Sequence, residues 1–205
     1  MRVLLALAAL SVLVLVIANI VAVKLWDLGG VAVDGGIIIF PLSYIVGDLM
    51  MELYGKKTAN YVVFLSFAMD VLVVAVIWLV GLLPAYPGWG GQAAYEMILG
   101  FTPRIMLGSL LAYLASELLN NVVFEKIKRV TGEKRLWVRL LGSSAVARIA
   151  DTLIFETVAF LGVLSFGEFV VQAGFAYVAG FVLEIVLTPL TYLLVRKLKK
   201  YEIQS

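Results

Sequence analysis

The most informative stretch of this chain is IIIFPLSYIVGDLMMELYGKK, residues 37–57. The stretch is apolar enough to enter a bilayer, yet it contains Asp48 and Glu52 and ends in two lysines. A charged side chain at membrane depth is costly unless it faces a protein interior, a wet cavity or a partner charge. The spacing of four places both carboxylates on one helical face, and Pro41 predicts a kink by freeing a backbone carbonyl. The stretch is therefore typical of a membrane helix that lines a polar site.

Composition extends this interpretation to the whole chain. Hydrophobic residues make up 63% of the sequence and charged residues 15%, whereas about a quarter of the residues in soluble domains are charged. Crossing a bilayer takes about 20 residues, and six apolar stretches of this kind occur, at about 3–25, 37–54, 60–83, 104–125, 137–164 and 172–196. We predict an all-α polytopic membrane protein, with six transmembrane helices in one bundle that forms a single domain, residues 1–205. The first stretch could be a signal peptide, but its length favours a retained span.

Cysteine and histidine are both missing from the sequence. Disulfides, thiolate or imidazole metal ligands and histidine proton relays are therefore excluded. We expect no metal site, no cofactor and no catalytic residue, and an intramembrane enzyme or a plain scaffold is disfavoured.

Basic residues predict the orientation. Thirteen of the 16 lysines and arginines lie before the first stretch or in alternate connections: Arg2, Lys56, Lys57, Lys126, Lys128, Arg129, Lys134, Arg135, Arg139, Arg196, Lys197, Lys199 and Lys200. By the positive-inside rule, both termini are expected to be cytoplasmic, with the protein in the cytoplasmic membrane. The basic segment 125–139 is interpreted as a topogenic loop and not as a nucleic-acid site.

Two connections on the opposite side are unusual. WDLGGVAVDGG, residues 26–36, has two Gly-Gly pairs, so it is either a segment that hinges over a cavity or a plain surface loop. PAYPGWGGQAAYEMILGFTPR, residues 84–104, predicts a short interfacial helix at about 91–99.

Seven carboxylates fall within the apolar stretches or at their rims, with two cations beside them: Asp48, Glu52, Asp70, Glu117, Asp151, Glu156 and Glu184, with Arg148 and Lys24. We expect the acids to converge on a shared wet pocket. Several alternatives stay open. Glu52 can instead sit at the interface beside Lys56, and Arg148 can form a structural pair with Asp151 at a spacing of three. Glu184 and Lys24 can pair with each other or with the other acids.

A pocket rich in carboxylates and amides suits a cation or a neutral molecule with many N–H donors. Glu117 and Asn120 share a helical face by their spacing of three. A carboxylate can accept two parallel hydrogen bonds from a guanine-like edge. Aromatic side chains such as Phe40, Tyr44 and Phe155 can stack on a flat ring.

At these residues the chain resembles the queuosine precursor transporter family. The resemblance rests on AN at 18–19 followed by Lys24, FPLSYIVGDLMMELYGKKTA at 40–59, FTPRIMLGSLLAYLASELLNNVVFEKI at 101–127, LW at 136–137, SS at 143–144 and ADTLIFETVAF at 150–160. It implies a six-span importer of 7-deazaguanine bases such as preQ0 or preQ1, which serve tRNA modification. The order of acid and amide at positions 117 and 120 varies in such proteins, so it stays open which of the two residues contacts the ligand.

The expected site follows from the motifs and the resemblance together. The substrate-binding residues are expected to be Asp48, Glu52, Glu117, Asn120, Asp151, Asn19, Tyr44 and Phe155. Ion-pair or gating roles are expected for Arg148, Lys24, Glu156 and Glu184.

The partners expected are a purine-like small molecule and membrane lipid, without nucleic acid, and the oligomeric state is left open. The alternative function is the substrate-binding S-component of an energy-coupling-factor (ECF) vitamin importer. Such a subunit would need a partner ATPase module to move its ligand.

Overall fold

Long helices make up most of the computed structural model, which describes residues 2–28, 31–100, 103–132, 135–160 and 165–204. The elements, in chain order, are α1 (Arg2–Val21), β1 (Leu25–Leu28), β2 (Val31–Asp34), a 3-10 turn (Gly35–Ile38), α2 (Pro41–Gly81), α3 (Gln92–Leu99), α4 (Pro103–Thr131), α5 (Leu136–Phe160) and α6 (Phe166–Gln204). The predicted all-α class is confirmed, with one small hairpin added.

α2 consists of two helical limbs that meet at Gly55, where φ is 77° and ψ is 172°. Glycine adopts a positive φ at little cost because it has no Cβ. Asp48 and Asn60, on either side of this break, would lie roughly 18 Å apart along a straight helix. They instead accept hydrogen bonds from adjacent residues of α4, Asn120 and Asn121. The chain therefore reverses at Gly55, and residues 41–54 and 56–81 form the first limb and second limb of α2.

Contacts between helices show that successive limbs run in alternate directions. Ser109, near the start of α4, bonds to Asn19 near the end of α1. Glu52, near the end of the first limb, is reached from the ends of α4 and α6 and from the start of α5, by Lys128, Lys199 and Arg139. We call this region of the bundle the basic end. Leu7 of α1 and Val195 of α6 share one core cluster, so the starting turns of α1 and the last turns of α6 also lie towards the basic end.

The outer surface of the bundle is apolar. Exposed aliphatic and aromatic side chains cover α1, the second limb of α2 and α6, for example Leu5, Leu13, Phe64, Leu72, Val182 and Val186. In the part of the chain that is described, four stretches are long and apolar enough to cross a membrane: Arg2–Val21, Gly35–Gly81, Leu107–Thr131 and Phe169–Lys200. Gly35–Gly81 would extend about 70 Å as one helix, more than twice the hydrocarbon thickness. The chain is a multi-pass membrane protein.

Charged side chains are spread along most of the length of α5. Arg139, Arg148, Asp151 and Glu156 lie along it, and α5 makes its most extensive contacts with α4 and its next most extensive with α6. α5 therefore brings polar groups between its neighbours.

Several predicted boundaries were wrong. The first helix ends at Val21 and not at 25, because the chain next forms an antiparallel hairpin in which Leu25 pairs with Asp34 and Leu28 with Val31. The segment 26–36 is thus ordered in strands on either side of residues 29–30, which lie outside the described residues. Pro41 is the first residue of α2, where a missing N–H costs nothing, so the break lies at Gly55 and not at the proline.

The last helices are longer than predicted. α4 continues to Thr131, and α6 runs from Phe166 to Gln204. Most of the basic segment 125–139 is therefore helical, while Lys134 and residues 161–164 of the predicted fifth helix lie outside the described residues. The short helix predicted at 91–99 is confirmed as α3.

Candidate binding site

A buried ion pair lies where α5 and α6 meet the first limb of α2. Arg148 Nη2 is 3.1 Å from Glu184 Oε2, and both side chains are almost fully buried. The guanidinium of Arg148 also lies over the ring of Tyr44, 4.8 Å from its centroid. A Cβ at Gly180 would collide with the same guanidinium. Glycine at 180 is what allows the arginine to lie flat against α6.

Glu117 of α4 lies beside this pair, 2% exposed. Within the described part of the chain, neither of its carboxylate oxygens has a hydrogen-bond partner, and the same is true of the Tyr44 hydroxyl. The hydroxyls of Ser43 and Ser116 approach these groups without reaching hydrogen-bond geometry. A Cβ at Gly47 would lie 2.8 Å from Glu117 Oε2, so glycine gives the carboxylate room to lie across the first limb.

Two further carboxylates complete the group. Asp48 accepts a hydrogen bond from Asn120 Nδ2 at 3.1 Å, while the amide oxygen of Asn120 has no partner among the described residues. Asp151 accepts a hydrogen bond from the Ser116 hydroxyl at 3.4 Å. We call Asp48, Glu117, Asp151 and Glu184, with Arg148, the acidic cluster.

The acidic cluster has far more negative than positive groups. Its members lie close enough to interact electrostatically, and it contains four carboxylates and one guanidinium. Such a group favours a ligand that is cationic or rich in N–H donors. A metal ion is a weaker candidate, because no grouping of acidic side chains in the described ranges has the arrangement to hold one.

The acidic cluster is closed to solvent in this structure. Asp48, Glu117 and Glu184 are buried, Asp151 is partly buried, and two cavities lie elsewhere. One is a groove of about 550 Å³ lined by Leu136, Pro189, Tyr192, Leu193, Val195 and Arg196, and the other is a smaller hollow beside α3. Four of the seven acids predicted to converge therefore do so, and neither of these two cavities is lined by them.

Residues 34–194 match a family model described as "Putative vitamin uptake transporter". The chain belongs to this family. Its description names transport and not catalysis, in line with the expectation from the sequence. The match contains every member of the acidic cluster.

Three curated relatives of this transporter family match the chain. A "Probable queuosine precursor transporter" of Bacillus subtilis is 36% identical over 72% of this chain and 65% of the relative. A protein with the same description from Haemophilus influenzae is 26% identical over 61% of this chain and 51% of its own length. The "Queuosine precursor transporter" of Escherichia coli is 26% identical over 59% and 52%.

The matches thus span between about half and two thirds of the relatives' lengths. The resemblance that the sequence motifs indicated is confirmed. No solved structure matches the chain.

Glu52 is not part of the acidic cluster of this family member. Its carboxylate lies at the basic end, 3.1 Å from Lys128, 3.0 Å from Arg139 and 2.6 Å from Lys199. The alternative partner, Lys56, instead pairs with Glu125. One buried acid therefore joins the first limb of α2 to α4, α5 and α6 through ion pairs, and its role in substrate binding stays a prediction.

Asn19 also lies apart from the acidic cluster. Its amide donates to Asp70 at 2.7 Å and accepts from Ser109 at 2.7 Å. Asp70 was among the acids noted in the sequence, but no spacing rule could pair it with a residue 51 positions away.

The remaining predicted residues lie in different parts of the bundle. Lys24 is exposed and makes no ion pair with Glu184, which binds Arg148 instead. The intrahelical pair of Arg148 with Asp151 was therefore the wrong pairing, although the two remain close. Phe155 is half-buried on α5 with its backbone carbonyl against α4, and Glu156 is buried.

Sequence reasoning missed two residues. Arg139 was assigned to a loop but is one of the most deeply buried side chains. Tyr113 is buried between Glu117 of the acidic cluster and Asp70. Tyr113 lies four residues before Glu117, a spacing that places both on one helical face and could have linked them.

Proposed function

We propose that this chain is a transporter that carries queuosine precursors, 7-deazaguanine bases such as preQ0 and preQ1, inward across the cytoplasmic membrane. The family description and the printed names of three relatives support this proposal. The substrate binds at the acidic cluster, between the first limb of α2 and helices α4, α5 and α6.

The carboxylate of Glu117 is the observation that carries the proposal. A buried carboxylate without hydrogen-bond partners is costly, and a ligand that donates two N–H groups removes that cost. The ring N–H and exocyclic amine of a guanine-type base form such a pair of donors. The Tyr44 hydroxyl and the Asn120 amide oxygen, also without partners among the described residues, supply further contacts.

The ring of Tyr44 provides a flat face beside this carboxylate. Arg148 lies on that ring, so a planar base at Glu117 would share the space with a delocalised cation and an aromatic side chain. Both surfaces stack well on heterocycles. The remaining carboxylates, Asp48 and Asp151, would attract a substrate that carries an amine.

Transport requires the closed cluster to open to each side in turn. The ion pairs of Glu52 close the basic end, which we assign to the cytoplasmic side by the positive-inside rule. Six crossings with both termini cytoplasmic agree with the alternating directions of the limbs. Release of the substrate inward then requires the contacts of Glu52 with Lys128, Arg139 and Lys199 to separate.

The S-component alternative gains no support from the relatives, whose descriptions name a transporter and not an importer subunit. Uptake by the chain alone separates the two functions.

The test is uptake of radiolabelled preQ0 by cells that lack their own precursor importer and every ECF module. The wild-type chain is expected to give uptake, and Glu117→Gln to lower it roughly 100-fold, because hydrogen bonds to a charged group contribute about 1.5–3 kcal/mol each. Glu125→Gln is the matched control, since Glu125 lies on the same helix in an exposed pair with Arg129. Absence of uptake by the wild type, or wild-type uptake by Glu117→Gln, contradicts the proposal.

A further inference from the structure

Asp70 is a buried acid that the acidic cluster does not use. It lies on the second limb of α2, is 1% exposed, and accepts a hydrogen bond of 2.7 Å from the Asn19 amide of α1. Ser109 of α4 in turn donates to the Asn19 oxygen at 2.7 Å. Three helices thus meet at one carboxylate on the side of the bundle away from the basic end.

The described groups that face Asp70 are almost all neutral. α1 contributes Asn19, and the hydroxyls of Ser11 and Ser66 bond to each other at 3.0 Å. α4 contributes Ser109 and the titratable phenol of Tyr113. α3 meets the same limb nearer its end, where the Tyr95 hydroxyl donates to the Ile77 carbonyl.

Among the side chains that the structure describes, which do not include that of Arg104, no cation compensates Asp70, since the exposed Lys24 does not pair with it. Glu52 and Glu184 differ in this respect, because each forms ion pairs with basic side chains. An isolated carboxylate in a low-dielectric interior is far more costly charged than neutral. Among these described side chains, Asp70 therefore has no counter-charge, and a bound proton would neutralise it.

A stripe of side chains on α4 leads from Asp70 to the acidic cluster. Ser109, Tyr113 and Glu117 follow one another at intervals of four residues, so they lie along one helical face. The Tyr113 hydroxyl lies beside Ser11 and Ser66, and it is close enough to both Asp70 and Glu117 to interact electrostatically. Tyr113 therefore lies between the two groups of carboxylates.

We propose that Asp70 is a proton-binding site that couples uptake of the base to the entry of protons, with the Tyr113 hydroxyl linking it to Glu117. A proton fits better than a sodium ion, because the Asn19 amide presents an N–H and not an oxygen to the carboxylate. The proton binds Asp70 from the outer side and leaves to the cytoplasm as the base is released. This inference rests on the proposed function and names the driving force for transport.

The test uses the full chain in proteoliposomes with radiolabelled preQ0, a neutral base. Two readouts are compared: accumulation driven by an inward proton gradient, and counterflow exchange without a gradient. The wild type is expected to accumulate preQ0 several-fold above equilibrium. Asp70→Asn is expected to lose accumulation while keeping counterflow within twofold, whereas a purely structural acid would lower both together. Glu96→Gln, on the exposed face of α3, is the control that should retain both.

The outcomes separate this inference from the proposed function. Accumulation by Asp70→Asn equal to that of the wild type overturns the coupling, and so does wild-type accumulation that follows a sodium gradient and not a proton gradient. Absence of counterflow in the wild type refutes the transport function and the coupling with it.

A second variant tests the proton coupling if Asp70→Asn loses both accumulation and counterflow. Tyr113→Phe keeps the buried ring and removes only the hydroxyl. It is expected to keep counterflow within twofold and to lower proton-driven accumulation at least threefold. Unchanged accumulation in Tyr113→Phe contradicts the proposal.

Discussion

Arg148 and Glu184 form a buried ion pair that joins α5 to α6, with Nη2 and Oε2 3.1 Å apart. Removing the cation alone should destabilise the protein, because it leaves the neighbouring carboxylates without a positive partner. We expect Arg148→Met to lower the free energy of unfolding by about 3–5 kcal/mol, measured by thermal unfolding in detergent.

The double variant Arg148→Met/Glu184→Met provides the control for this effect. Replacing both members of a buried pair by apolar side chains is often nearly neutral, so part of the lost stability should return. If the stability losses of Arg148→Met and Glu184→Met, each measured alone, simply add in the double variant, the two side chains are not coupled as described.

Gly47 gives Glu117 the room that it occupies. A Cβ at position 47 would lie 2.8 Å from Glu117 Oε2, so Gly47→Ala must displace the carboxylate. We expect this change to weaken preQ0 binding at least tenfold, measured by titration calorimetry on purified protein.

Gly174→Ala in α6 is the matched control, because a Cβ there would meet no described atom of another helix within 4 Å. Alanine in a helix interior stabilises the fold by about 0.5–1 kcal/mol relative to glycine. Because the added methyl group displaces no binding residue, we expect the affinity for preQ0 to be unchanged. Equal affinities for the two variants would argue against close contact between residue 47 and the binding carboxylate.

Glu52 joins the first limb of α2 to three other helices through Lys128, Arg139 and Lys199. Glu52→Gln removes the negative charge and leaves three basic groups close together. We expect a loss of about 3–5 kcal/mol of stability, because the pair with Arg139 is buried on both sides.

The comparison for this prediction is Glu125→Gln. Glu125 pairs with Lys56 and Arg129 at the surface, where an ion pair contributes roughly 0–1 kcal/mol. A similar melting temperature for both variants would mean that the ion pairs of Glu52 do not hold the basic end together.

The sequence predicted the helices well because hydrophobic length is a local property. Each long helix corresponds to an apolar run, and the reversal at Gly55 falls between the runs predicted at 37–54 and 60–83. The hairpin at residues 25–34 was missed, since its paired glycines suggested a flexible segment.

The partners of the acids were less predictable. Spacing identifies residues on one face of one helix, so it associated Arg148 with Asp151 and Glu52 with Lys56. The observed partners, Glu184 and Arg139, come from other helices. Such pairs depend on how the limbs pack together, and a single sequence does not encode that packing in any short-range pattern.

The most direct test of the central claim is equilibrium binding of a 7-deazaguanine and a 7-deazaadenine to the purified wild type and to Glu117→Gln. The guanine-type edge offers two N–H donors to one carboxylate, and the adenine-type edge does not. We predict that the wild type prefers the 7-deazaguanine by roughly 100-fold, in line with a few kcal/mol from two charged hydrogen bonds, and that Glu117→Gln abolishes this preference. Equal binding of the two bases by the wild type, or an unchanged preference in Glu117→Gln, would contradict the account.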